Sequence, residues 1–293
     1  MLNKIFLFLA LSSLTFAQVV YEPLYKDVYS FLSRLSQKSI LLFDDQIRPV
    51  SRKYIAQKLI QASEKLPQLT PLEKEELDFF SKDFKQEFDI LNNVEIDSAQ
   101  LTLIGFDEGD RFRLFSYQDN LFSINLSPIL GYKIGSRDSE KLSHFWNGIY
   151  TYGYIDKYLG FSFDFRDNAE NGNTIDKLKE FTSVTGVEAK SSLTAPLYSQ
   201  DKMEYSEVKA VLTTDWSWGS FAVGKDFLEW GYGESGLLVL SQKPPSYGFF
   251  RLDIKPVEWL KFNFVHGWLS SSVLDSNTLF YNTAGGISFS FID

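Results

Sequence analysis

The sequence predicts a mainly β protein: an antiparallel β-barrel of the outer-membrane type, preceded by a small N-terminal α-helical bundle. Three observations predict it. An export signal opens the 293-residue chain. The hydrophobic period then changes from helical to alternating near residue 96. The alternating segments that follow are long and rich in aromatic residues.

Residues 1–17 read as a secretory signal peptide. Lys4 supplies a positive start, and Ile5 to Leu14 form an apolar run too short to cross a bilayer. Thr15 and Ala17 put small residues at the positions a signal peptidase reads, so cleavage is expected after Ala17 and the mature chain at Gln18. No later stretch is long and apolar enough for a spanning helix.

Residues 18–95 are expected to form the helical bundle. Val28, Phe31, Leu32 and Leu35 recur at three- and four-residue steps and make one apolar stripe. Ser51 can cap a second helix with Tyr54, Ile55, Leu59 and Ala62 along its buried side. Thr70, Pro71 and Glu73 combine a capping side chain, a proline at the first helical position and a glutamate three residues after the cap. The third helix is expected to run toward Leu91, carrying Leu77, Phe80, Phe84 and Phe88.

Residues 96–293 are expected to be barrel strands. Phe122, Ile124 and Leu126 alternate with Ser123, Asn125 and Ser127, and Phe161, Phe163 and Phe165 with Ser162, Asp164 and Arg166. Leu252 and Ile254 alternate with Arg251 and Asp253; Leu260, Phe262 and Phe264 with Lys261 and Asn263; Ile287, Phe289 and Phe291 with Ser288 and Ser290. A soluble sandwich would turn the rings into a core, whereas a membrane barrel turns them toward lipid and the polar partners toward a wet lumen. Composition fits both, with 16% aromatic residues and a mean hydropathy of -0.15. Strand length favours the barrel, since several strands approach a tilted bilayer crossing. Tyr and Trp also gather near strand ends, at Trp146, Tyr150, Tyr152, Tyr154, Tyr158, Trp259 and Trp268, as in aromatic girdles. Short turns are expected at Ile155–Lys157 and Pro256–Glu258, and long connections at Asp167–Phe181 and Asp226–Tyr247. Three strands are counted between the two long connections, an odd number that would put them on opposite sides unless one of those strands is miscounted or the second connection folds into the barrel.

Zero cysteines exclude disulfides, thiolate metal sites and a cysteine nucleophile. A net charge of -9 argues against nucleic acid as a partner, because phosphate binding needs clustered Lys and Arg. The two histidines, His144 and His266, lack a second histidine at ligand spacing, so no metal and no cofactor are expected. His266 shares parity with Phe262 and Phe264 and reads as an interfacial residue beside Trp268. Asp226, Glu229 and Glu234 could make a carboxylate pair for glycoside cleavage, but a solvated acidic loop is the favoured reading. Ser270 to Ser272 follow His266 closely, which alone sets no catalytic geometry. The chain is accordingly not expected to be an enzyme.

The run Gly224, Lys225, Asp226, Phe227, Leu228, Glu229, Trp230, Gly231, Tyr232, Gly233, followed by Leu238 to Ser241 and by Pro244 and Pro245, resembles the signature stretch of the capsule assembly (Wzi-like) outer-membrane family. That family leads from a glycine-led strand end into Trp-Gly-x-Gly and then a Leu-Ser segment ahead of proline; here Tyr232 stands where proline is common. Phe264 to Leu269 resemble the strand that follows, and Arg48 to Arg52 the approach to the second helix. The resemblance implies a surface protein that binds capsular or exopolysaccharide and holds it to the cell, with the helical bundle on the periplasmic side. It also implies outer-membrane lipid and the barrel-insertion machinery as partners, and leaves the oligomeric state open. The family's barrel has more than the nine or ten strands found here, so the chain reads as a truncated barrel.

Candidate polysaccharide contacts are Lys225, Asp226, Trp230 and Tyr232. The rings can stack on sugar faces while the charged pair bonds hydroxyls. The competing reading, given more weight for Trp230, is that it packs the loop against the barrel wall. Gly224, Gly231, Gly233, Pro244 and Pro245 are read as structural members of the motif. A porin-like or transport channel is the alternative function, marked by an open lumen lined with the charged strand residues.

Overall fold

The computed structural model describes residues 16–17, 19–156, 158–175, 197–198, 201–233, 236–237, 239–242, 246–257, 259–268, 280–281 and 287–288. The proposed signal peptide at 1–15 therefore lies outside the described residues. Phe16–Ala17 (β1) pairs with Trp216 and Asp215.

Four helices come first: α1 (Val28–Gln37), α2 (Arg52–Ser63), α3 (Pro71–Asp83) and α4 (Lys85–Leu91). The expected stripes converge on one core. Val28, Phe31, Leu32 and Leu35 of α1 meet Ile55, Leu59 and Ala62 of α2 and Leu77, Phe80 and Phe84. The Ser51 side chain accepts from the Tyr54 amide, and Thr70 and Glu73 form the reciprocal capping box. The expected single third helix is broken at Phe84, whose φ of -106° leaves the helical range. The fully buried Phe84 ring sits beneath the Arg52 guanidinium, 4.2 Å from its centroid, so the break serves packing.

The long strands are β3 (Gln100–Phe106), β4 (Phe112–Gln118), β5 (Phe122–Arg137), β6 (Glu140–Ile155), β7 (Leu159–Asn171), β9 (Lys202–Trp216), β10 (Gly219–Asp226), β12 (Tyr247–Val257) and β13 (Leu260–Trp268). They pair antiparallel in the order β13-β12-β10-β9-β7-β6-β5-β4-β3. A two-residue strand β8 (Leu197–Tyr198) adds to β9. Among the described residues the sheet is open, because β3 and β13 do not pair with each other. The expected barrel, read from sequence as truncated, is therefore not closed by these strands. Ile287–Ser288 (β15) pairs with Phe280–Tyr281 (β14) in a separate ladder. Phe289, Ser290 and Phe291 lie outside the described residues.

Two loop expectations also change. The expected loop from Asp167 begins as strand, since β7 stays paired with β6 and β9 to Asn171. Two long strands, β9 and β10, lie between the two long connections where three were counted. Both connections consequently leave the sheet toward the same end. The short β4–β5, β6–β7, β9–β10 and β12–β13 connections lie at the other end, while the turns at 107–111 and 138–139 share the end of the long connections.

The two faces of the sheet differ sharply. Ladder partners share a face, so Ser123, Tyr154 and Gly160, or Asn125, Tyr152 and Ser162, lie together on one side. The helices cover the short-turn half of that polar side. The opposite face carries Phe122, Ile124, Leu126, Leu130, Tyr132 and Ile134 on β5, Phe161, Phe163 and Phe165 on β7, and Phe250, Phe262 and Phe264 on β12 and β13. Leu130 is 76% exposed and Phe262 52%. The rings on this face lie against one another, with Phe250 5.7 Å from Phe264 and 5.1 Å from His266, and charge enters the face at Asp167 and Lys225.

What binds the helices to the polar face is a buried ionic cluster. Arg52 donates to Glu22 (2.6 Å), to both oxygens of Glu87 (2.7 and 3.0 Å) and to the Asp83 carbonyl (2.6 Å). Its guanidinium also lies 4.4 Å from the Tyr152 ring of β6, and Tyr154 donates to Glu87 at 2.6 Å. Arg52, Glu22 and Glu87 are each 1% exposed or less. Burial pushes the Glu22 carboxyl above its ordinary range, against the pull of Arg52. At the sheet's far side Arg251 donates to the Pro49 carbonyl at 2.8 Å, and at the rim Lys53 meets Asp215 and Lys261 meets Asp44.

Candidate polysaccharide site

The sheet releases the Trp-Gly segment at Asp226, and the chain turns onto the helices. Phe227 and Leu228 bury behind it. Glu229–Trp230 (β11) then pairs antiparallel with Ile47–Arg48 (β2), the stretch that leads into α2. The Gly231 amide donates to the Gln46 carbonyl at 2.8 Å, and the Trp230 amide to Leu240 at 3.1 Å. Gly231 has a φ of 125°, a conformation that side-chain-bearing residues rarely adopt. One strand between the two long connections is miscounted from sequence, and the Asp226–Tyr247 connection also folds back onto the helices through this strap.

Between this strap and α1 lies a cleft of about 810 Å³. Ser30, Ser33, Arg34, Ser36 and Gln37 of α1 form one wall; Phe43, Asp45 and Arg48 form the floor; Glu229, Gly231, Tyr232, Gly233 and Leu237 form the other wall. Its size is that of a small-ligand site, and its lining is mostly polar. Arg48 is held by Asp45, with Nε 2.8 Å from Oδ2, and its Nη1 lies 3.7 Å from Glu229. Gln242 donates to Glu229 at 2.7 Å, and Ser33 to Asp45 at 3.4 Å. Arg34 is engaged by Glu76, with Glu73 3.9 Å away.

Two aromatic surfaces frame the floor. Tyr232 is 64% exposed, whereas Phe43 is buried and stacked on Tyr54, with centroids 5.9 Å apart and planes 11° off parallel. Partial burial, then Asp44 and Asp45, raise the Tyr232 hydroxyl's pKa. Burial pushes Tyr54 up to about 12, so its hydroxyl stays protonated and accepts from the Asp44 amide at 2.8 Å. Behind Arg34, the hydrogen bond from Lys38 and then the Thr70 amide hold Glu73 down at about 2.

Of the residues proposed from sequence, Tyr232, Gly231 and Gly233 line the cleft. Trp230 does not; it is half-buried, and its backbone holds the strap to Ile47 and Leu240. Lys225 and Asp226 remain at the end of β10. Lys225 faces outward opposite Ala210 and Gly248, and the Asp226 carboxylate accepts from the Phe227 amide at 2.8 Å. Neither reaches the cleft, because side chains alternate and the strap departs only after them. Gly224 lies in β10, where a Cβ would collide with the Ala210 carbonyl. Pro244 and Pro245 lie outside the described residues, as do Glu234 and Ser270 to Ser272. Glu229 is in the cleft and Asp226 is not, so these two carboxylates do not converge there.

His266 sits on the outward face, 4.9 Å from Trp268, and His144 Nε2 lies 3.0 Å from Asn168 Oδ1. Among the described residues no group of three or more His, Asp or Glu side chains is placed to hold a metal ion.

The wall of α1 and the Phe43–Arg48 floor were not foreseen. Ser30, Ser33 and Gln37 follow helical spacing on the side of α1 away from its apolar stripe, a signal the sequence carries. Which loop comes to face them it does not carry. Comparison with protein-family models, with curated proteins and with solved structures finds no match for this chain.

Proposed function

We propose that this is an outer-membrane protein that holds capsular or exopolysaccharide at the cell surface without covalent chemistry, as its resemblance to the capsule assembly family implies. In this reading the open sheet is part of a barrel wall, and a helical bundle fills its periplasmic, short-turn end. The observation that carries the proposal is the polar cleft in which the Trp-Gly-Tyr-Gly segment faces α1. Its hydroxyl, amide and carboxylate groups, beside the exposed Tyr232 ring, are the groups that recognise sugars.

Two further observations support it. The outward face is largely apolar and aromatic, with Lys225 among its few charged positions, and such a face suits acyl chains and would be costly in water. The polar face that a channel would need open is covered, with Ser123, Asn125, Asp164 and Arg251 all buried. That coverage speaks against the porin-like alternative.

The test is the ratio of cell-attached to medium-released polysaccharide at equal total polysaccharide, with and without the gene. A shift to the released pool on deletion, reproduced by Tyr232→Ala at normal protein level, is the expected result. An unchanged ratio refutes attachment and makes conductance in planar bilayers the next measurement.

A further inference from the structure

We infer that the cleft selects neutral, hydroxyl-rich glycan segments over polyanionic ones, an inference that rests on the polysaccharide reading above. The argument is electrostatic. Two cationic heads line the cleft, and a carboxylate already holds each. Asp45 and Glu229 flank Arg48, while Glu76 and Glu73 flank Arg34. Lys38, just beyond the wall, is bonded to both oxygens of Glu73 at 2.8 Å. A uronate carboxylate entering here would have to displace an existing charge-assisted pair, among the stronger hydrogen-bonded contacts in proteins. It would also bring its charge beside Asp45 and Glu229, within a chain whose net charge is -9.

Hydroxyls meet the opposite situation. An ionised carboxylate has lone-pair sites beyond those its arginine uses, so Asp45 and Glu229 can accept from sugar O–H groups without losing Arg48. Ser30, Ser33, Ser36 and Gln37 add hydroxyl and amide groups along α1 that both donate and accept. The Tyr232 ring offers an apolar face to the C–H side of a pyranose. The cleft's two carboxylates oppose an incoming like charge, and its two arginines are already engaged by carboxylates.

The experiment is calorimetric titration of the full chain in detergent micelles, at low salt where charge effects are least screened. The probes are size-matched oligosaccharides: neutral gluco-, manno- and galacto-oligosaccharides against oligogalacturonate and oligoglucuronate. The inference expects a neutral oligosaccharide to bind at least about tenfold more tightly than either uronate series. Tyr232→Ala should weaken that binding by about tenfold or less, the range of one aromatic contact, without moving the unfolding midpoint. Glu229→Gln, which releases one carboxylate from Arg48, should raise uronate affinity relative to neutral affinity. Uronates that bind the native chain as tightly as the neutral series would overturn the selectivity and leave attachment standing. Binding of neither class, together with an unchanged attached-to-released ratio in cells, would overturn both.

Discussion

Removing Arg52 gives the sharpest test of how the helices are held to the sheet. Arg52→Ala deletes four hydrogen bonds and two ring contacts, and leaves Glu22 and Glu87 buried without the guanidinium that bonds them. Summing four charged hydrogen bonds would overcount, since they share one guanidinium and the contributions are not additive. Breaking a buried pair from one side costs roughly 3–5 kcal/mol, mostly the penalty of the stranded charge. Hydrogen exchange at the amides of α2 is the assay, because it reads opening of that segment alone. The expected acceleration is roughly two to three and a half orders of magnitude. The sign with pH follows from the same cause. Burial already holds the Glu22 carboxyl above its ordinary value and Arg52 pulls it down, so without Arg52 it rises further, and the loss is fully present at neutral pH and eases as pH falls and Glu22 takes up a proton. Arg52→Met combined with Glu22→Leu and Glu87→Leu removes the charges together, and should recover most of the loss despite the orphaned Tyr154 hydroxyl. An acceleration below about tenfold for Arg52→Ala, or a triple variant no better than the single, would refute the clamp.

Three more predictions can be checked separately. Phe163→Arg places a charge in the outward apolar band and should cost about 2–4 kcal/mol near a bilayer midplane, read as folded yield in lipid vesicles against Phe163→Leu; equal yields would show that this face does not meet lipid. Thr70→Ala removes the helix cap of α3 and should destabilise by about 1 kcal/mol in chemical denaturation of the helical signal. Glu73, held at about 2 against an ordinary 4.5, stabilises the fold above its unfolded pKa, and that contribution should fade as pH falls from about 4.5 toward 2. Glu73→Gln should flatten the acid limb of the unfolding curve, and an unaltered limb would remove the Lys38–Glu73 contact from the account.

The helices were legible because their signals are local. A capping box lies within four residues, and an apolar stripe repeats every turn, so Thr70 to Glu73 and Val28 to Leu35 announce themselves. Strand parity was equally legible, since alternation at Phe161 to Arg166 needs no knowledge of the partner strand. Register, the number of strands between the two long connections, and closure were not, because they depend on which distant strand supplies the hydrogen bonds. The same limit explains the site. The motif singled out Tyr232, which lines the cleft, but grouped it with Lys225 and Asp226, its neighbours only in sequence. The strap pairing between Glu229–Trp230 and Ile47–Arg48 joins segments that share no pattern, so nothing in either one predicted the cleft between them.

That pairing makes the cleft a property of the assembled chain. Its two walls are made at opposite ends of synthesis, α1 early and the strap only after seven of the long strands have been laid down. No partly folded form that still lacks β10 can present the site, however well its helices have formed. Occupancy by a glycan would therefore report completed assembly, and a ligand added during refolding should act on the last steps and leave the first unchanged.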